Sequence, residues 1–192
     1  MNKLLLVVLV ATAGVAQQPP PNPSLARGIY LERAASASEA QTEVMHATLA
    51  TDSRSSGSMK AMFGGRPTIV MIVTGAAATL RLSAADPSFR IVLTGGINRR
   101  GQMPDLSEMS QDAPSPIVKD GKDFALVRLT VKDDTREVDI KNGRIAASVE
   151  KVGDNVYRLK PNKPLEPGEY GIVHQVSGMP TGQVWAFGIG AN

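Results

Sequence analysis

The chain has 192 residues, 42% hydrophobic and 20% charged, with a formal net charge of +3 at pH 7 and no cysteine. The absent cysteines exclude disulfides, thiolate zinc sites, cysteine nucleophiles and lipidated cysteines, and the apolar fraction is too high for a wholly disordered chain. Such a length predicts about one domain, able to bury about two-thirds of its unfolded surface without staples.

Met1-Asn2-Lys3 sets one positive charge before the apolar run Leu4-Leu5-Leu6-Val7-Val8-Leu9-Val10, which closes in the small residues Ala11 to Ala16. That is the layout of a secretory signal peptide, and it is shorter than the roughly 20 residues of a membrane span. Cleavage before Gln17 removes 16 of 192 residues, leaves 176, and lowers the charge from +3 to +2 by the loss of Lys3. No transmembrane span is expected afterwards, and the protein is expected in the periplasm or outside the cell. Residues 17–24 then form a proline-rich leader, extended because proline lacks an amide donor. Residues 25–192 are expected to make a single β-sandwich domain with a long loop over 95–123.

Within that domain, short strands are expected over 28–31 and 44–49, separated by a small-residue stretch without period. Asp52-Ser53-Arg54-Ser55-Ser56-Gly57-Ser58 reads as turn and loop chemistry, and residues 59–63 as one helical turn. The β-branched run Thr68-Ile69-Val70-Met71-Ile72-Val73 predicts a strand buried on both faces, and 78–82 and 89–93 predict two more. From 125 to 132 apolar and polar residues alternate, with Ala125, Val127, Leu129 and Val131 on one side. Asp133-Asp134-Thr135 turns the chain back into 136–141, so the pair reads as a hairpin with one wet face. Strands over 147–152, 156–160, 170–176 and 184–189 complete an all-β pattern with almost no helical period. The expected fold is an antiparallel Ig-like, Greek-key β-sandwich. Leu165, Pro167, Gly168 and Tyr170 add the L-x-P-G-x-Y form of a tyrosine corner, in which the tyrosine hydroxyl bonds back to the backbone upstream.

These segments, Gly28-Ile29-Tyr30-Leu31, the strand from Phe124, Arg136-Glu137, Leu165 to Tyr170 and the closing aromatic-glycine strand, resemble a group of uncharacterised exported bacterial proteins. In that group a pattern GVYY, LvRL, RE, LePGEY, FGV recurs. The resemblance spans most of the mature chain and implies an exported β-domain, and no activity.

Chemistry-bearing residues are sparse. His46 and His174 are the sole histidines, too few for a histidine zinc site with no cysteine to complete it. No G-x-S-x-G elbow or S-x-x-K pair occurs. Gly121-Lys122 lacks the remainder of a phosphate loop, and Asp133-Asp134 fits a hairpin turn better than a calcium loop. No catalytic residue, metal or cofactor is therefore expected. Scattered basic residues, with one adjacent pair at Arg99 and Arg100, give no basic face for nucleic acid. Half of the eight aromatics fall in the last 36 residues, among them Trp185 and Phe187 on one strand face. They read foremost as core. Exposed, Trp185 would join Arg99 and Arg100 as a candidate binding surface. The expected function is a non-catalytic binding module whose partner is a protein or envelope component, met at a strand edge or the 95–123 loop. The competing expectation is a small periplasmic hydrolase using His46 or His174 with a carboxylate.

Overall fold

A computed structural model describes residues 27–32, 42–56, 68–93, 113–114, 120–176 and 179–190. The expected signal peptide (1–16), leader (17–24), helical turn (59–63), Arg99, Arg100 and most of the 95–123 loop lie outside the described residues. The first strands are β1 (Gly28–Glu32), β2 (Thr42–Val44), β3 (Thr48–Leu49), β4 (Asp52–Ser56), β5 (Thr68–Thr74), β6 (Arg81–Leu82) and β7 (Ser88–Val92). After a 3₁₀ turn at Gly121–Asp123 come β8 (Phe124–Arg128), β9 (Thr130–Lys132) and β10 (Thr135–Asp139). The series ends with β11 (Ala147–Gly153), β12 (Val156–Pro161), β13 (Gly168–Val176) and β14 (Met179–Ile189).

The protein is an all-β sandwich, with three sheets among the described residues. A front sheet runs β11-β12-β7-β1-β2, a central sheet β3-β14-β13-β8 with β6 beside β14, and a back sheet β4-β5-β10-β9. Among the described residues every strand pairing is antiparallel except β6 on β14. Because side chains alternate along a strand, the central sheet feeds two cores. Leu126, Tyr170, Ile172, Trp185 and Phe187 pack with Ile29, Phe89, Ile91 and Leu159 in front. Their neighbours Ala125, Val127, Val173 and Val184 pack with Met71, Val73 and Val138 behind. Among the described residues no helix is long and apolar enough to cross a membrane.

Several expectations change for this reason. The strand expected over 125–132 breaks at Leu129, whose N–H donates to Glu169 O (2.9 Å), so β8 belongs to the central sheet and β9 to the back sheet. Val131, expected in the core, is 49% exposed. The strand expected over 44–49 also splits: Met45 turns into the front core, and β2 and β3 join different sheets. Residues 52–56, expected as loop, form β4, because the apolar β5 needs a partner along its outer edge. β5 keeps the expected burial on both faces: Met71 and Val73 pack into the back core, Val70 on the opposite face is 5% exposed with Ile72 half-buried beside it, and burial ends at the exposed Thr74.

A charged cluster joins the central and back sheets. Glu169 on β13 pairs with Arg81 of β6, lies 3.7 Å from Arg136 Nη1 of β10, and accepts Ala78 N–H (2.8 Å). Arg136 donates to the carbonyls of Gly75 (2.8 Å) and Thr74 (3.2 Å). Burial pulls the Arg136 pKa down from its ordinary value and Glu169 opposes this. The Arg81 guanidinium lies where a Cβ on Gly188 would stand, so only glycine leaves it a path to Glu169.

Just upstream of β13, Leu165 is buried and Tyr170 Oη donates to Glu166 O (2.8 Å). The Tyr170 ring stacks on Phe187, centroids 5.7 Å apart. Tyr170→Phe keeps that packing and strands the carbonyl, so a loss of about 1 kcal/mol is expected. Urea unfolding measures it, and an unchanged midpoint would show that the bond adds nothing.

Candidate functional site

β8 is an edge of the central sheet and β11 an edge of the front sheet. The chain between β10 and β11 first lies along β8. Arg128 N–H donates to Gly143 O (2.7 Å), Ile145 N–H donates to Leu126 O (2.8 Å), and Val127 and Arg144 form an isolated antiparallel bridge. This approach has a local cause. The Asp139 carboxylate accepts the N–H groups of Lys141 and Asn142 (3.0 Å each), tightening the turn. A Cβ on Gly143 would lie 2.7 Å from Arg128 O and 2.8 Å from Asp139 O, so glycine alone permits the contact. Beyond Ile145 the chain leaves β8 for the front sheet, and a cleft of about 590 Å³ opens between the two edges. Its size falls in the range of ligand sites, about 300–1,000 Å³.

The floor is the open flank of the front core: Phe124 and Leu126 from β8, and the partly buried Ile145, Ala147 and Val149 opposite. The rim is polar, with Lys122, Arg144 and Asn162. Lys122 is presented by the 3₁₀ turn, which Asp120 caps by accepting Lys122 N–H (3.0 Å). Arg144 is presented by the glycine turn just described. Both side chains are exposed, and among the described residues neither makes an ion pair. The described lining carries no carboxylate, histidine or serine. The cleft is therefore cationic above and apolar below.

Its wall also offers backbone groups. Alternate residues of an antiparallel strand bond to opposite neighbours, and Leu129 N–H points at β13. Leu126 consequently directs its N–H and C=O, and Phe124 its C=O, away from β13 and toward the cleft, while Phe124 N–H donates to Gly121 O of the 3₁₀ turn. Leu126 O is taken by Ile145, but among the described residues the return bond from Leu126 N–H is not made, and Phe124 C=O is likewise open.

Compared with protein-family models, curated proteins and solved structures, the chain has no match. The cleft is thus read from its own chemistry.

The residues singled out in the sequence lie elsewhere. Leu165, Pro167, Gly168 and Tyr170 shape the entry to β13. Trp185 is wholly buried, with Phe124 6.2 Å away between ring centroids, so it is core and cannot serve as an exposed platform. His46 is exposed between β2 and β3. His174 is wholly buried in β13, its ring 5.2 Å from Phe124 and its Nδ1 3.1 Å from Thr181 Oγ1. Asp133 and Asp134 make the two-residue turn between β9 and β10. The sequence reading missed Arg144 and Asn162, and considered Lys122 only as part of a failed phosphate loop. A cation beside Gly143 after a run of turn residues was the one available signal.

A second charged group, on the outer face of the front sheet, is satisfied internally. Glu32 accepts Ser88 Oγ (2.6 Å), Arg90 Nε (2.8 Å) and Arg158 Nε (2.9 Å). Burial raises its pKa, but the hydrogen bonds from Arg158, Ser88 and Arg90 outweigh this and hold it below the usual carboxylate value.

His174 makes stability depend on pH. Burial pushes its pKa below the ordinary value, Asp123 opposes the shift and Arg27 adds to it. The unfolded chain therefore takes up the proton first. The contribution is complete above the ordinary imidazole pKa of about 6.5 and is lost as pH falls from there to the lower folded value. Urea midpoints between neutral and mildly acidic pH should decline for the native protein and decline less for His174→Gln. Parallel curves would assign the dependence to other groups.

Proposed function

We propose that this protein is an exported, non-catalytic β-sandwich module that works by binding a protein or envelope component, with the β8–β11 cleft as its site. One observation carries the reading: an apolar floor, a cationic rim without ion-pair partners among the described residues and a partly uncovered strand edge converge in one concavity whose described lining residues include no carboxylate, histidine or serine. The pattern over residues 1–16 supports export.

The test uses the anionic aromatic dye 1-anilinonaphthalene-8-sulfonate. Saturable fluorescence enhancement is expected with the native protein, and Ala147→Trp, which fills the cleft, should abolish it while leaving a cooperative thermal transition. Enhancement that survives Ala147→Trp in a folded variant would place binding elsewhere. Export is checked separately by mass spectrometry of the full-length product from the cell envelope, where a mature N-terminus at Gln17 is expected.

A further inference from the structure

We infer that the cleft takes an extended acidic peptide, which pairs along Phe124 to Leu126, the end of the β8 edge that the 143–145 segment leaves uncovered. This rests on the cleft being the binding site, as proposed above, and names what it binds. Phe124 C=O and Leu126 N–H are an acceptor and a donor one residue apart on the same side of the strand. That is the spacing at which one residue of an added parallel strand, about 4.8 Å away, engages both. In strand addition, main-chain bonds supply affinity and pockets for alternate side chains supply specificity.

The surroundings fix the chemistry of those side chains. One face of the added strand would meet Ile145, Ala147 and Val149, so apolar residues belong there. The other would meet Lys122 and Arg144, which lack ion-pair partners among the described residues and are matched by carboxylates. A peptide alternating apolar and acidic residues satisfies both faces and the backbone edge together. A fatty acid would satisfy floor and rim but bury Leu126 N–H unpaired, at the cost of a desolvated donor. The two cations also oppose edge-to-edge pairing between two copies of the chain, because like charges would face each other.

The ¹⁵N-labelled protein is titrated with the capped peptide Val-Glu-Val-Glu-Val, its Val-Lys-Val-Lys-Val counterpart, a backbone N-methylated version of the acidic peptide, and decanoate. The acidic peptide should shift the amides of residues 122–126 and 144–149 and slow hydrogen exchange at Leu126. Binding should weaken by about tenfold or more in Lys122→Glu/Arg144→Glu, with the thermal transition showing that this variant folds. N-methylation and lysine replacement should each weaken it comparably. Equal binding by the N-methylated or lysine peptide, or decanoate shifting the same amides at lower concentration than the acidic peptide, overturns the peptide inference and leaves the cleft as a binding site. No shift at the cleft with any of the four, together with dye binding that survives Ala147→Trp, overturns both.

Discussion

Glu169→Ala is expected to remove about 3–5 kcal/mol of unfolding free energy, a large part of the 5–15 kcal/mol, roughly, that holds a typical domain together. The reason is the charge left behind. Arg136 is 4% exposed, and its Nη1 has no hydrogen-bond partner, so the Glu169 carboxylate 3.7 Å away is its main electrostatic compensation. Arg81 loses its partner in the same step, and Ala78 N–H loses its acceptor. Denaturant unfolding of Glu169→Ala and of the double variant Glu169→Leu/Arg136→Met separates the causes. The double variant should recover much of the loss, because replacing a buried pair by apolar groups is often neutral. A loss below about 1 kcal/mol in Glu169→Ala, the value of an exposed pair, would mean that water reaches the cluster.

Trp185→Ala is expected to cost about 3–5 kcal/mol, through lost transfer energy and the cavity left behind. Trp185 is wholly buried in the front core, and its strand is paired on both sides, so the surroundings have little freedom to collapse. Val131→Ala, at a 49% exposed position, provides the contrast, within about 0.5 kcal/mol. Trp185 is also the sole tryptophan, so its emission should be blue-shifted in the native protein and move red on unfolding. Water-like emission in the native state, or a Trp185→Ala loss no larger than that of Val131→Ala, would contradict a buried ring.

The class of fold was legible because most strands carry their own signal. The β-branched run in β5, the alternation near Val127 and the aspartate turn before β10 need no tertiary information to be recognised. What could not be read was which sheet each strand joins. Leu129 and Met45 look like ordinary strand residues, yet at each the chain passes from one sheet to another. β4 has the composition of a loop and becomes a strand only because β5 lies beside it. The candidate site was less legible still. Lys122 and Arg144 are separated by a hairpin, Phe124 and Leu126 look like core alone, and the open backbone groups appear only once β11 diverges from β8. Trp185 shows the opposite limit: its strand was recognised, but its exposure depended on a second sheet that only the topology supplies.

The sharing of the central sheet between two cores bears on the order of assembly. β14 follows every other described strand in the chain, yet it lies inside the central sheet and sends Trp185 and Phe187 forward and Val184 backward. Neither core can close until this strand has arrived, so the earlier strands remain without their template while the chain is being made. Pairings this distant in sequence fold slowly. For a chain proposed to be exported, that delay is useful: a polypeptide that cannot complete either core early stays threadable until translocation brings β14 to the far side.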